Sequence, residues 1–128
     1  MAHKLKGKDW QSTILVVGVV AGTVTIEDDG FIDIEDITDE GEIKKCSHHG
    51  GAGEAFDLEG KADDNTVKLP KVELHRKGAS RPENPRYTGQ LMFESDDGKT
   101  KIIVGSVLRS VGQRKATQQE DTWVATKH

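Results

Sequence analysis

The chain has 128 residues, of which 34% are hydrophobic, 31% charged and 5% aromatic, and its formal net charge at pH 7 is −4. That length predicts a single β domain over residues 1–128 able to bury a core without staples, and so few aromatic side chains exclude the stacking platforms of a single-strand nucleic-acid reader, so no nucleic-acid partner is expected. The lone cysteine, Cys46, excludes an internal disulfide framework; with no leader-like segment and no apolar run approaching ~20 residues, a cytoplasmic setting and no membrane partner are expected.

Apolar residues recur with a period of two, so the chain reads as eight or nine short strands. "STILVVGVV" (12–20) is apolar on both faces and reads as a central strand. In "TVTIED" (23–28) Val24 and Ile26 oppose Thr23 and Thr25, and "FIDIEDI" (31–37) follows after Asp28, Asp29 and Gly30. That Asp-Gly pair supplies the positive φ of a short hairpin turn, so the two runs are predicted to fold back on one another. Asp33 and Glu35 share a face opposite Ile32 and Ile34; the paired carboxylates could serve acid/base work or hold a hard cation, but with the isoleucines on the buried face they read first as solvent groups.

Next come "EIKKC" (42–46), "EAFDLEG" (54–60) and "TVKLPKVELHRK" (66–77). In the last, Val67 and Leu69 are out of phase with Val72 and Leu74 across Pro70, which predicts a bulge or an edge. "YTGQLMFE" (87–94) and "TKIIVGSVLRSV" (100–111) flank a second Asp-Gly hairpin at Asp96, Asp97 and Gly98, and "TWVATK" (122–127) ends the series. "GASRPENPR" (78–86) and "GQRKATQQED" (112–121) read as polar loops. The fold class expected is all-β: a small antiparallel barrel, or a barrel-like two-sheet sandwich, of about eight strands with little helix.

The stretch "CSHHGGAGEA" (46–55) carries ligand types for a metal. Cys46, His48 and His49, with the distant His75, are the candidate ligands, but zinc wants four in spaced pairs and neighbouring histidines alternate faces along an extended backbone. The segment therefore reads first as a connecting loop. A metal-assisted enzyme requires His48 or His49 to meet His75 or an acid such as Asp33, Glu35 or Asp36 in space. Gly50, Gly51 and Gly53 offer an anion nest, against which Glu54 stands.

Charge is unevenly divided. Residues 1–60 hold 13 acids against 5 lysines, and residues 61–128 hold 13 Lys plus Arg against 9 acids. An acidic hairpin meeting basic loops (Arg76, Lys77, Arg81, Arg86, Arg114, Lys115) of a second copy is one consequence, pairing between the chain's own halves another. Arg109 shares a face with Ile103, Val107 and Val111; if that face is interior, it needs a carboxylate partner.

No Gly-x-Ser-x-Gly elbow occurs, and His48, two residues from Cys46, has the wrong geometry for a neighbouring base to a nucleophile on one strand, so no catalytic residue is assigned and no cofactor is expected. "LKGKDW" and "YTGQLMFESDDGKTKIIVGS" resemble the rhythm of lipocalin-like and avidin-like barrels, in which a tryptophan enters the first strand and Gly-bounded hairpins follow. The lipocalin signature is Gly-x-Trp, whereas here two residues separate Gly7 from Trp10, so the resemblance implies an architecture and no ligand residue. The leading functional expectation is a non-enzymatic small-molecule binder with a pocket at the barrel mouth or between sheets. Trp10, Tyr87, Arg109 and Trp123 are its candidate ligand residues.

Overall fold

A computed structural model describes residues 2–18, 22–51, 53–78, 84–110 and 118–128. Eight strands, β1 (Gly7–Val17), β2 (Val24–Ile37), β3 (Ile43–His49), β4 (Ala55–Ala62), β5 (Lys71–Arg76), β6 (Arg86–Glu94), β7 (Lys101–Ser110) and β8 (Gln118–Lys127), form a closed antiparallel barrel in sequence order. β8 pairs back onto β1, from Gln11 opposite Thr126 to Leu15 opposite Thr122, so the sheet has no edge and no central strand. No helix occurs among the described residues, and none there is long and apolar enough to cross a membrane.

Alternation explains the walls. Ile32 and Ile34 of β2, Cys46 of β3, Leu58 of β4, Val72 and Leu74 of β5, Tyr87 and Leu91 of β6, Ile103 and Val107 of β7, and Trp123 and Ala125 of β8 are all buried and build one core inside the barrel. Gly89 makes room for the largest of them: a Cβ there would lie 2.8 Å from Trp123 Cζ3 and 2.6 Å from Ile103 Cγ2. At the lower end, where β1 begins, residues 2–6 lie across the opening and fully bury Leu5. Lys4 N–H donates to Asn65 Oδ1 at 2.8 Å, Lys101 Nζ donates to the Lys4 carbonyl at 2.6 Å, and His3 Nε2 meets the Asp63 carbonyl at 2.9 Å.

The structure corrects four local readings. The two runs expected to pair across Asp28 to Gly30 are not a hairpin but one strand of 14 residues, β2 (Val24–Ile37). Opposite β1 the register steps from Gln11–Phe31 to Thr13–Asp28, so Asp29 and Gly30 together face Ser12 in a β-bulge with Gly30 at φ 78°. Asp-Gly provides the same positive φ to a bulge as to a turn, which is why the local signal misleads. The second Asp-Gly site is the expected hairpin, with Gly98 at φ 72° between β6 and β7.

Ser47 to His49 are likewise strand, not loop, continuing the run that ended at Cys46, and in the β3–β4 connection Gly50 N–H donates to the Glu54 carbonyl at 2.9 Å. Residues 66–70 lie outside any strand, so β5 begins only after Pro70. Gln118 to Asp121, expected in a loop, extend β8. Arg81, Val111, Arg114 and Lys115 fall outside the described residues.

The bulge changes the phase of β2, and this matters for function. Below it Ile34 and Ile32 face the core; above it the odd positions turn inward, so Asp29 and Glu27 enter the barrel while Ile26 is left 72% exposed on the outer wall. Without the extra residue, alternation would have buried Ile26 and put both acids in solvent.

Candidate functional site

The upper end is where β1 finishes and β2 starts, and its interior is polar. Asp29 is the hub. Its Oδ2 accepts from the Tyr87 hydroxyl at 2.7 Å and from Ser12 Oγ at 2.8 Å, and Ser12 in turn accepts from Trp123 Nε1 at 2.9 Å. His48 Nε2 hydrogen-bonds the Asp29 backbone carbonyl and lies 3.5 Å from Oδ2. A carbonyl only accepts, so Nε2 carries the ring proton and the neutral imidazole has its lone pair on Nδ1.

Tyr87 is braced by the Trp123 ring at 5.1 Å and by an edge contact with His48 at 6.0 Å. Burial, reinforced by the Asp29 carboxylate, pushes its phenol far above the ordinary value, so it acts as a fixed proton donor to Asp29. Beside this group, Arg109 Nη1 donates to Glu27 Oε2 at 2.7 Å and its Nε to Asp121 Oδ2 at 3.3 Å; Gln119 Nε2 donates to Asp121 Oδ1 at 2.8 Å. Hydrogen bonding to Arg109 holds the Glu27 carboxyl below the ordinary range. The carboxylate partner that an interior Arg109 required is thus present twice.

A cavity of ≈ 300 Å³ opens beside the hub, with Asp29, His48, Phe56, Leu58, Arg76 and Tyr87 in its wall and Gly50, Gly51 and Glu54 at its rim. The Arg76 guanidinium lies 3.7 Å over the Phe56 ring. Among the described residues Arg76 makes no ion pair, whereas the wall's acids have donors: Asp29 those above, and Asp28 Oδ1 the Gly30 N–H at 3.0 Å. The Arg76 guanidinium therefore keeps N–H donors for a ligand.

No known family model, curated protein or solved structure matches the chain.

The structure distributes the candidate residues as follows. Tyr87, Arg109 and Trp123 come together at the upper end, though only Tyr87 lines the cavity; Trp123 supports it and Arg109 secures Glu27 and Asp121. Trp10 is 1% exposed within the core and does not line the cavity. Of the metal candidates, His48 faces the interior. His49 points outward to Asp33 Oδ2 at 3.1 Å, and His75 Nδ1 sits 3.7 Å from Glu59 Oε1. Cys46 is buried, its thiol pushed up to about 12 by desolvation and then by Asp33. No group of three or more His, Cys, Asp or Glu among the described residues could hold a metal ion.

Asp33 and Glu35 are not free solvent groups. Asp33 Oδ1 accepts the Asp9 N–H at 2.7 Å, where Asp9 takes φ 61°, and Glu35 bridges Lys45 at 3.0 Å and Lys8 at 3.5 Å. Asp29, Ser12 and Phe56 went unrecognised as site residues. The phase of β2 hides Asp29, and nothing local marks the other two.

Proposed function

We propose that the upper end of the barrel is the binding site of a small planar molecule with an anionic edge. The observation that carries this reading is Arg76, stacked on Phe56 in a ≈ 300 Å³ cavity and free of ion pairs among the described residues. A guanidinium fixed in that way presents its remaining N–H groups as a planar fork suited to a carboxylate or phenolate, while Phe56, Leu58 and Tyr87 supply apolar wall. The ≈ 300 Å³ volume of the cavity favours a ligand no larger than a substituted benzene ring.

Calorimetric titration with benzoate tests this. Saturable one-to-one binding is expected, weakened about tenfold or more in Arg76→Gln, because a charge-assisted bond contributes roughly 1.5–3 kcal/mol. Equal binding by both proteins, or none by the wild type, removes the reading.

A second reading, self-association, is favoured by a different feature. On the outer wall Val17 and Val24 are register partners, as are Leu15 and Ile26, and Val17, Val24 and Ile26 are exposed. The acidic segment expected to meet a second copy's basic loops is a bulged strand, in which Glu27 pairs with Arg109 and Asp29 with Tyr87 while Asp28 and Asp36 stay exposed. An apolar contact holds or tightens in salt whereas a charged one loosens. Sedimentation at rising protein and salt concentration separates these, and a monomer throughout contradicts both.

A further inference from the structure

We infer that His48 is a general base, taking a proton at Nδ1 from a small planar carbon acid seated against Arg76. The inference rests on the binding reading above and adds chemistry to it. Three features of the site carry it.

First, the tautomer is fixed by structure. Nε2 is committed as donor to the Asp29 carbonyl, so the basic nitrogen is Nδ1, which has no hydrogen-bond partner among the described residues although the side chain lines the cavity. Second, the imidazolium formed on proton transfer has a carboxylate waiting: Asp29 Oδ2 is 3.5 Å from Nε2 and is itself held by Tyr87 and Ser12, so it need not move to receive the charge. Third, the charge that develops on the substrate has a receiver in the same cavity, the guanidinium of Arg76.

The step balances without a metal or redox partner. A proton leaves carbon for Nδ1, and the electron pair of the C–H bond moves through the substrate onto an oxygen that Arg76 binds. Returning the proton to a different atom gives an isomerisation. Expelling that oxygen from a neighbouring bond gives an elimination. The substrate class is a small compound whose C–H is acidified by a conjugated carbonyl or an equivalent electron sink.

5-Nitrobenzisoxazole is a suitable probe. Loss of its C3 proton to a base forms the nitrile, breaks the N–O bond and leaves the coloured 2-cyano-4-nitrophenolate. Wild-type protein is expected to open the ring faster than the same concentration of free imidazole. In His48→Gln, whose amide still donates to Asp29, kcat/KM is expected to fall about 100-fold, the usual scale of general-base catalysis. The affinity for 2-cyano-4-nitrophenolate, followed by tryptophan fluorescence, is expected to stay within about threefold in that variant, because His48 is not the anion's partner. In Arg76→Gln both rate and affinity fall. A wild-type rate no greater than that of imidazole, or a His48→Gln variant as fast as wild type, overturns the base while phenolate binding leaves the pocket standing. Failure of the phenolate to bind wild-type protein overturns the pocket and the base together.

Discussion

The Tyr87 hydroxyl and Asp29 Oδ2 lie 2.7 Å apart although 58 residues separate them in the chain. Two independent features bring them together: the bulge that turns Asp29 inward on β2, and the β6 register that sets Tyr87 opposite Val107 and Leu74 on the inner face. Burial holds the phenol in its protonated form; the Asp29 carboxylate accepts from it and from Ser12, and the Asp29 main-chain carbonyl accepts from His48. The upper end is therefore rigid where a ligand would need it rigid.

Replacing Tyr87 by Phe removes one donor from Asp29 and leaves the ring packing. A loss of about 1.5 kcal/mol is expected, the usual value for a hydrogen bond to a charged group. Urea denaturation measures it. An unchanged midpoint would show that Asp29 finds a substitute donor and that the hub is not held by Tyr87.

Gly30 and Gly98 both have positive φ, but their surroundings differ. A Cβ on Gly30 would lie 2.0 Å from the His49 carbonyl oxygen, whereas nothing comes within 4 Å of one on Gly98. Gly98→Ala is expected to cost about 1 kcal/mol, the backbone term alone, and Gly30→Ala appreciably more, about 3 kcal/mol, with loss of benzoate binding as the bulge shifts. Equal costs would contradict the bulge geometry.

How much of this was readable from the residues follows from where each signal sits. Period-two patterns and the Asp96-Asp97-Gly98 turn are local, and they lead to an all-β fold of about eight strands, barrel or barrel-like sandwich; the pairing of β8 with β1 decides for the barrel. The Asp28-Asp29-Gly30 signal is equally local but two-valued, since a bulge and a hairpin ask the same of Gly30. Asp29 meets His48, Ser12 and Tyr87 only through strand pairings fixed by the whole closed sheet, so spacing along the chain carries no trace of the hub. Ser47 to His49 read as loop because their side chains are polar and glycines follow. In the barrel Cys46 packs in the core and His48 rises above it on the same inner face.

The Glu27–Arg109 pair gives stability a pH dependence of known sign. The folded-state carboxyl of Glu27 is held below its ordinary value of 4.5, mainly by its hydrogen bond to Arg109, so the unfolded chain binds more protons in that window. The contribution is complete above pH 4.5 and is lost as pH falls through the lowered folded value. Glu27→Gln is expected to flatten the acid limb of a stability-against-pH curve, and an unaltered limb would show that the pair contributes nothing.

Cys46 behaves in the opposite sense. Its thiol is raised from 9.0 to about 12, so the folded chain keeps a proton that the unfolded chain gives up, and stability declines as pH rises from about 9 toward 12. At pH 8 the buried thiol is expected to resist a thiol-specific colorimetric reagent in native protein and to react fully in denaturant. Rapid reaction in native buffer would contradict its burial.

The binding claim is tested most directly by a ¹H–¹⁵N correlation spectrum recorded during a benzoate titration. Shifts are expected at Gly50, Gly51, Glu54, Arg76 and Tyr87 around the cavity, with the lower end, marked by Leu5 and Asn65, unmoved. Saturation that perturbs the lower end and spares Arg76 would contradict a site at the upper end.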